Sequence, residues 1–135
     1  MPNIALNRTL AASVGVALLL SSAVLLHAQV GLERKVLLQQ DLNIPGYETL
    51  LVAVTIAVGG REGRHTHAAT LVGQVLEGEL TLEQEGLPTR VYRAGDSITI
   101  KPGQIHEGIN TGKTPIRALV TFIAEKGKPL TTQVR

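Results

Sequence analysis

Three histidines in this sequence stand where they could act together. His65 and His67 are two residues apart, and His106 lies in a second, separate segment. In an extended chain, residues two apart point to the same side. Two imidazoles can therefore meet at one point, and a third from a neighbouring strand would complete a facial set. Neutral imidazole is a ligand for one divalent transition metal ion, whether Fe, Mn, Ni, Cu or Zn. The plainer readings are an exposed His-Thr-His strand and a His106 satisfied by its own neighbours.

The residues around these histidines are distinctive. Gly59, Gly60 and Gly63 precede His65 too irregularly for a phosphate loop, and read as a bend. Arg61, Glu62 and Arg64 form a charged loop beside the pair; they either steer an anionic substrate or are simply solvated. Glu107 neighbours His106 and should face the opposite side of a regular strand, so it is not counted as a ligand. Asn110 reads as a turn residue, the alternative being a polar group near the metal.

Short strands must position these side chains. Residues 50–58 are rich in Val, Ile and Thr, as buried strands are. Segments 71–76 and 80–85 flank Glu77-Gly78-Glu79, a hairpin signal. Segments 36–38, 89–93, 97–100, 105–109 and 116–124 read as further strands, divided by turn residues such as Gly86, Pro88, Pro102 and Gly103. No amphipathic helix is evident after residue 28. Evenly spaced short strands predict an all-β sandwich or barrel, since closure protects sheet edges. The polar tail 126–135, with Gly127 and Pro129, reads as a loosely held end.

The 135 residues suit one domain. Arg8 followed by a charge-free run over 10–26 and a small residue at Ala28 reads as a secretory signal peptide. The alternative is an uncleaved anchor, the run being near the minimum for a membrane span. Either way the division is 1–28 for signal or anchor and 29–135 for the folded domain, with its core over about 45–127. The domain is expected outside the cytoplasm, periplasmic or secreted, touching a membrane only through 10–26. Removing Arg8 leaves 12 basic residues against 11 acidic ones. That near-balance, with only Tyr47, Tyr92 and Phe122 as aromatic rings, disfavours a nucleic-acid partner. The chain has no cysteine, so neither disulfides nor thiolate ligands are available.

The pattern of Gly59, His65, His67 and Gly78, followed by Gly95, Gly103, His106 and Asn110, resembles the two motifs of the cupin superfamily, in its small single-domain, quercetin-dioxygenase-like form. Val75-Leu76-Glu77-Gly78-Glu79-Leu80 is similar to the family's wording as well. The resemblance implies a jelly-roll β-barrel (a double-stranded β-helix), preceded here by the hydrophobic signal helix. It implies a metal held by His65, His67 and His106, a small-molecule ligand and a homodimer. Two positions depart from the family. Lys101 stands where a proline is usual, with Pro102 beside it. Leu71 stands where the family places a glutamate ligand. Leu71, Val75, Leu80, Ile98 and Phe122 are expected to form the apolar wall of the pocket. The function implied is a metal-dependent, dioxygenase-like enzyme. A non-catalytic binding or sensing module with a degenerate site, and a structural dimer, are the alternatives.

Overall fold

Runs rich in Val, Ile, Leu and Ala build the core strands, such as residues 50–56 and 116–124. The computed structural model describes residues 31–135; the stretch read as a signal peptide or anchor, and its helix, lie outside the described residues. Ten strands follow one another: β1 (Leu32–Asp41), β2 (Tyr47–Ile56), β3 (His65–Thr66), β4 (Ala69–Glu77), β5 (Glu79–Gln84), β6 (Arg90–Arg93), β7 (Ser97–Ile100), β8 (His106–Ile109), β9 (Ile116–Glu125) and β10 (Thr132–Gln133). They form two five-stranded sheets, ordered β1-β2-β9-β4-β7 and β10-β3-β8-β5-β6. Every pairing is antiparallel. This is the expected all-β jelly roll. Among the described residues no helix is long and apolar enough to cross a membrane.

Strands β2 and β9 pair without interruption, from Tyr47↔Glu125 to Ile56↔Ile116. On β2 every second residue from Leu50 to Ile56 is buried, and on β9 every second residue from Ile116 to Ala124. Leu50 therefore faces Phe122, and Val52 faces Val120, across the sheet. Leu80, Leu82 and Tyr92 of the second sheet join the same core. Burial of these side chains supplies the main stabilisation of a chain without cysteines.

Two expectations change. The segment anticipated at 36–38 is the middle of a ten-residue strand, paired along β2 with a bulge between Val36 and Leu38. Its opening residues Glu33, Arg34 and Lys35 are charged, which masked it. The C-terminal tail is not loose. Thr132 pairs with Thr66 and Gln133 with His65, and the Val134 N–H donates to the Arg64 carbonyl at 2.9 Å. Leu130 packs against the core as well. Two-residue strands carry no periodicity, so composition alone could not reveal β3 or β10.

Tight turns join the hairpins, and two glycines make a controlled comparison. Gly78 between β4 and β5 and Gly86 after β5 have φ of +81° and +78°. A Cβ at Gly78 would lie 2.6 Å from the Pro115 carbonyl oxygen, whereas nothing lies within 4 Å of one at Gly86. Gly86→Ala should cost only the left-handed backbone term, on the order of 1–2 kcal/mol. Gly78→Ala should cost about 1–3 kcal/mol beyond that, from the clash. Urea unfolding measures both, and equal losses would contradict the close seating of this turn on Pro115.

Candidate metal centre

The short strand β3 runs antiparallel to β8 and sets His65 directly opposite His106. His67, two residues beyond His65, returns its ring to the same side. The three residues are 0%, 3% and 3% exposed. One ring nitrogen from each lies within 4.8 Å of the others. The ring centroids are 4.2–4.9 Å apart. Among the described residues this is the cluster that could hold a metal, and no carboxylate belongs to it.

Hydrogen bonds assign the tautomers. His65 Nδ1 lies 2.7 Å from the Gly63 carbonyl, His106 Nδ1 2.9 Å from the Gln104 carbonyl, and His67 Nδ1 2.9 Å from the Leu130 carbonyl. A carbonyl only accepts, so each Nδ1 carries the proton and donates it. Each neutral ring then keeps its lone pair on Nε2. His65 Nε2 and His67 Nε2 are 3.2 Å apart, two acceptors facing each other with no proton between them. Nitrogens about 2.1 Å from one ion, at angles of about 90–109°, would stand about 3.0–3.4 Å apart. The His65–His67 pair already has this spacing, the three ligand nitrogens lie within 4.8 Å of one another, and backbone carbonyls already orient all three rings.

Burial disfavours the charged form of His67 and His106. Burial pushes His67 down to about 3, partly opposed by its bond to Leu130, with the other two rings adding a smaller downward effect. Burial also lowers His106. The edge of Phe122 meets the His67 ring, centroids 4.8 Å apart at 72°. Glu107 points away from the histidines' side and is buried. The Arg61 guanidinium grips both its oxygens at 2.6 and 2.7 Å and holds its pKa low. The same carboxylate accepts the Gly63 N–H at 3.0 Å, so it braces the residue whose carbonyl orients His65.

A cavity adjoins the cluster. Leu71, Leu80, Ile98 and Phe122 line it together with His67 and His106. Val75, expected on this wall, is fully buried in the core instead and is not among the lining residues. It lies four residues beyond Leu71, about 13 Å farther along β4. Two charged residues line the cavity that the histidine pattern did not pick out, Arg34 and Glu62. Arg34 sits on β1, whose extent the sequence hid, and Glu62 was one of three charges in the loop. All three loop charges are paired: Glu62 with Arg34, Arg61 with Glu107 and Arg64 with Glu85, the last pair largely exposed. Asn110 is a turn clamp. It is buried, donates to the Ile56 and Thr114 carbonyls, and accepts from the Gly112 N–H.

Known proteins agree with this architecture. A family profile described as "Cupin domain" matches residues 52–122, just over half of the chain. The chain is 38% identical to oxalate oxidase GF-3.8 of Triticum aestivum over 96 residues, covering 61% of this chain and 43% of that protein. It is 38% identical to germin-like protein subfamily T member 3 of Arabidopsis thaliana over 93 residues, 62% of this chain and 40% of that one. The chain thus spans less than half the length of these relatives. A structure of oxalate oxidase with the substrate analogue glycolate superimposes with a TM-score of 0.63 at 29% identity, covering 77% of this chain and 55% of the other. A double-stranded β-helix protein from Klebsiella pneumoniae matches in fold, with a TM-score of 0.64 at 22% identity over 80% of this chain and 88% of its own. With the family profile, the two sheets and the histidine geometry in agreement, this chain belongs to the cupin family.

Proposed function

We propose that this chain is an exported metal-dependent cupin with oxidase- or dioxygenase-like activity on a small molecule, and that His65, His67 and His106 hold its ion. The observation that carries this reading is the convergence of three buried Nε2 lone pairs, each fixed by a carbonyl on the opposite ring nitrogen. Oxalate oxidases among the relatives are oxidoreductases by name, which supports the reaction class. A bound ion supplies Lewis acidity and redox chemistry at its open positions. The chain's own residues do the rest. The carbonyls of Gly63, Gln104 and Leu130 hold the rings, while Leu71, Ile98 and Phe122 keep bulk water from the ligand. Export rests on the charge-free run over 10–26.

Leu71 supports a second reading. A leucine lies where the family pattern has a glutamate, so three neutral imidazoles leave the full +2 charge uncancelled and the ion less firmly held. A degenerate metal site in a small-ligand binding or sensing module fits that chemistry.

Protein purified without a histidine tag should hold about one equivalent of a divalent metal by elemental analysis, and His67→Ala should lose most of it. Less than about a tenth of an equivalent after anaerobic reloading would sink the metal reading. Leu71→Glu buries a carboxyl, so it should lower the melting temperature of the metal-free protein. Added Mn(II) should reverse that loss and bind on the order of tenfold more tightly than in the parent. If Leu71→Glu binds Mn(II) many-fold better and the parent shows no turnover, the binding-module reading prevails.

The pH dependence follows from the buried rings. In the unfolded chain a histidine takes up a proton near pH 6.5, while folded His67 stays neutral down to about pH 3. Between these values the unfolded state binds more protons, so stability falls as pH falls. Below about 4.5 the low-pKa Glu107 adds to the same trend. Thermal melts of metal-free protein from pH 7 to 5 should drop steadily, and His67→Leu should flatten the slope. An unchanged slope would mean that His67 is not buried neutral.

A further inference from the structure

We propose that Arg34 and Glu62 form the recognition end of the cavity, where Arg34 takes the carboxylate of a small monocarboxylate whose short hydrocarbon body occupies the rest. The inference deepens the proposed function and rests on it for the place of the ion, but the carboxylate socket is made by this chain alone.

Apart from His67 and His106, Arg34 and Glu62 are the polar side chains lining the described cavity; its other walls are aliphatic side chains and Phe122. Their side chains are only 28% and 15% exposed. The Glu62 carboxylate accepts from Arg34 Nη2 at 3.2 Å and from the Gly108 N–H at 3.1 Å. Gly108 follows His106 by two residues on β8, so it lies on the same side of that strand. A Cβ there would come within 2.6 Å of Glu62 Oε2. The missing side chain is what admits the carboxylate. A guanidinium and a backbone N–H, two residues along from a candidate metal ligand, thus make a carboxylate socket that Glu62 fills.

Glu62 belongs to the loop before His65, whereas Arg34 is fixed on β1 and Gly108 on β8. The Glu62 backbone is held to β8 as well, its N–H donating to the Gly108 carbonyl at 2.9 Å, so displacement needs only the Glu62 side chain to turn away. A ligand carboxylate of the same geometry can take Glu62's place on Arg34, whose planar fork suits it. Size limits the remainder. The cavity volume is about 40 Å3, room for about three waters, which matches an acid of three or four carbons. The walls limit its polarity. In the metal-free protein a second carboxylate among Leu71, Ile98, Ile100 and Phe122 would lie against apolar side chains and be costly to desolvate.

The test is butyrate binding to metal-free full-length protein, by calorimetry, with butanol and oxalate as competitors in composition. Butyrate should bind at least about tenfold more tightly than either. Arg34→Gln should weaken it about tenfold or more, and Glu62→Gln, which removes the resident anion, should strengthen it several-fold. Arg34→Lys should restore only part of the loss, since a point charge lacks the fork. Circular dichroism and melting of each variant establish that it is folded. Butyrate binding no tighter than butanol, or unchanged by Arg34→Gln, overturns the inference. Mn(II) titration of the same samples separates the two readings. Butyrate bound through Arg34 in a protein that takes no Mn(II) ends the metal reading alone, and the converse ends this one alone.

Discussion

The site depends on three hydrogen bonds from imidazole Nδ1–H groups to backbone carbonyls. They decide which nitrogen of each ring carries its proton, and so where three lone pairs point. Without them each ring could turn or change tautomer, and Nε2 of His65 and His67 could share a proton. With them, two acceptors face each other 3.2 Å apart. That arrangement is repulsive in a protein alone and becomes favourable with a cation between them. Because the carbonyls are backbone, their placement is the work of the fold and of no single side chain.

Each carbonyl comes from a different connection. Gly63 ends the loop after β2, Gln104 lies in the turn before β8, and Leu130 lies in the C-terminal tail. The sheet aligns β3 with β8 so that His65 meets His106. Outside the sheet, the Arg61–Glu107 pair fixes Gly63 by a third bond to its N–H. With Arg61 58% exposed and only Glu107 buried, the pair is weak evidence for stability. Its location argues for a geometric role: it braces the loop from the outer side while His65 bonds to the same residue from within. The β10 strand does the same for His67 by anchoring the tail that presents Leu130.

Much of this was legible in the residues, and the parts that were not share a cause. The Val, Ile and Thr richness of 50–58 and the turn residues dividing many short segments gave the all-β class and most strands. The spacing of His65 and His67, with His106, picked out the three rings that meet. What stayed hidden were interactions that no spacing encodes. The tail looked loose because Lys126 to Arg135 is polar, yet its value lies in backbone pairing and one carbonyl. Arg34 stood in a strand disguised by charge, far along the chain from Glu62. Val75 looked like a wall residue because alternation gives the face of a strand and says nothing of depth along it.

The balance of charge ties the site to its ligand. Three neutral imidazoles give an ion no negative partner, and Leu71 on the cavity wall offers none. An ion held this way retains its full charge in a low-dielectric pocket, where an unpaired charge is costly. The nearest acid lining the space, Glu62, is bound to Arg34 and to Gly108 and sits outside the cluster that could share an ion. The protein therefore leaves the ion's charge to be balanced from solution. Under the proposed reading, an anion held at Arg34 lowers the net positive charge of a cavity in which Leu71 offers no carboxylate, while its hydrocarbon body, not its carboxylate, faces the rings.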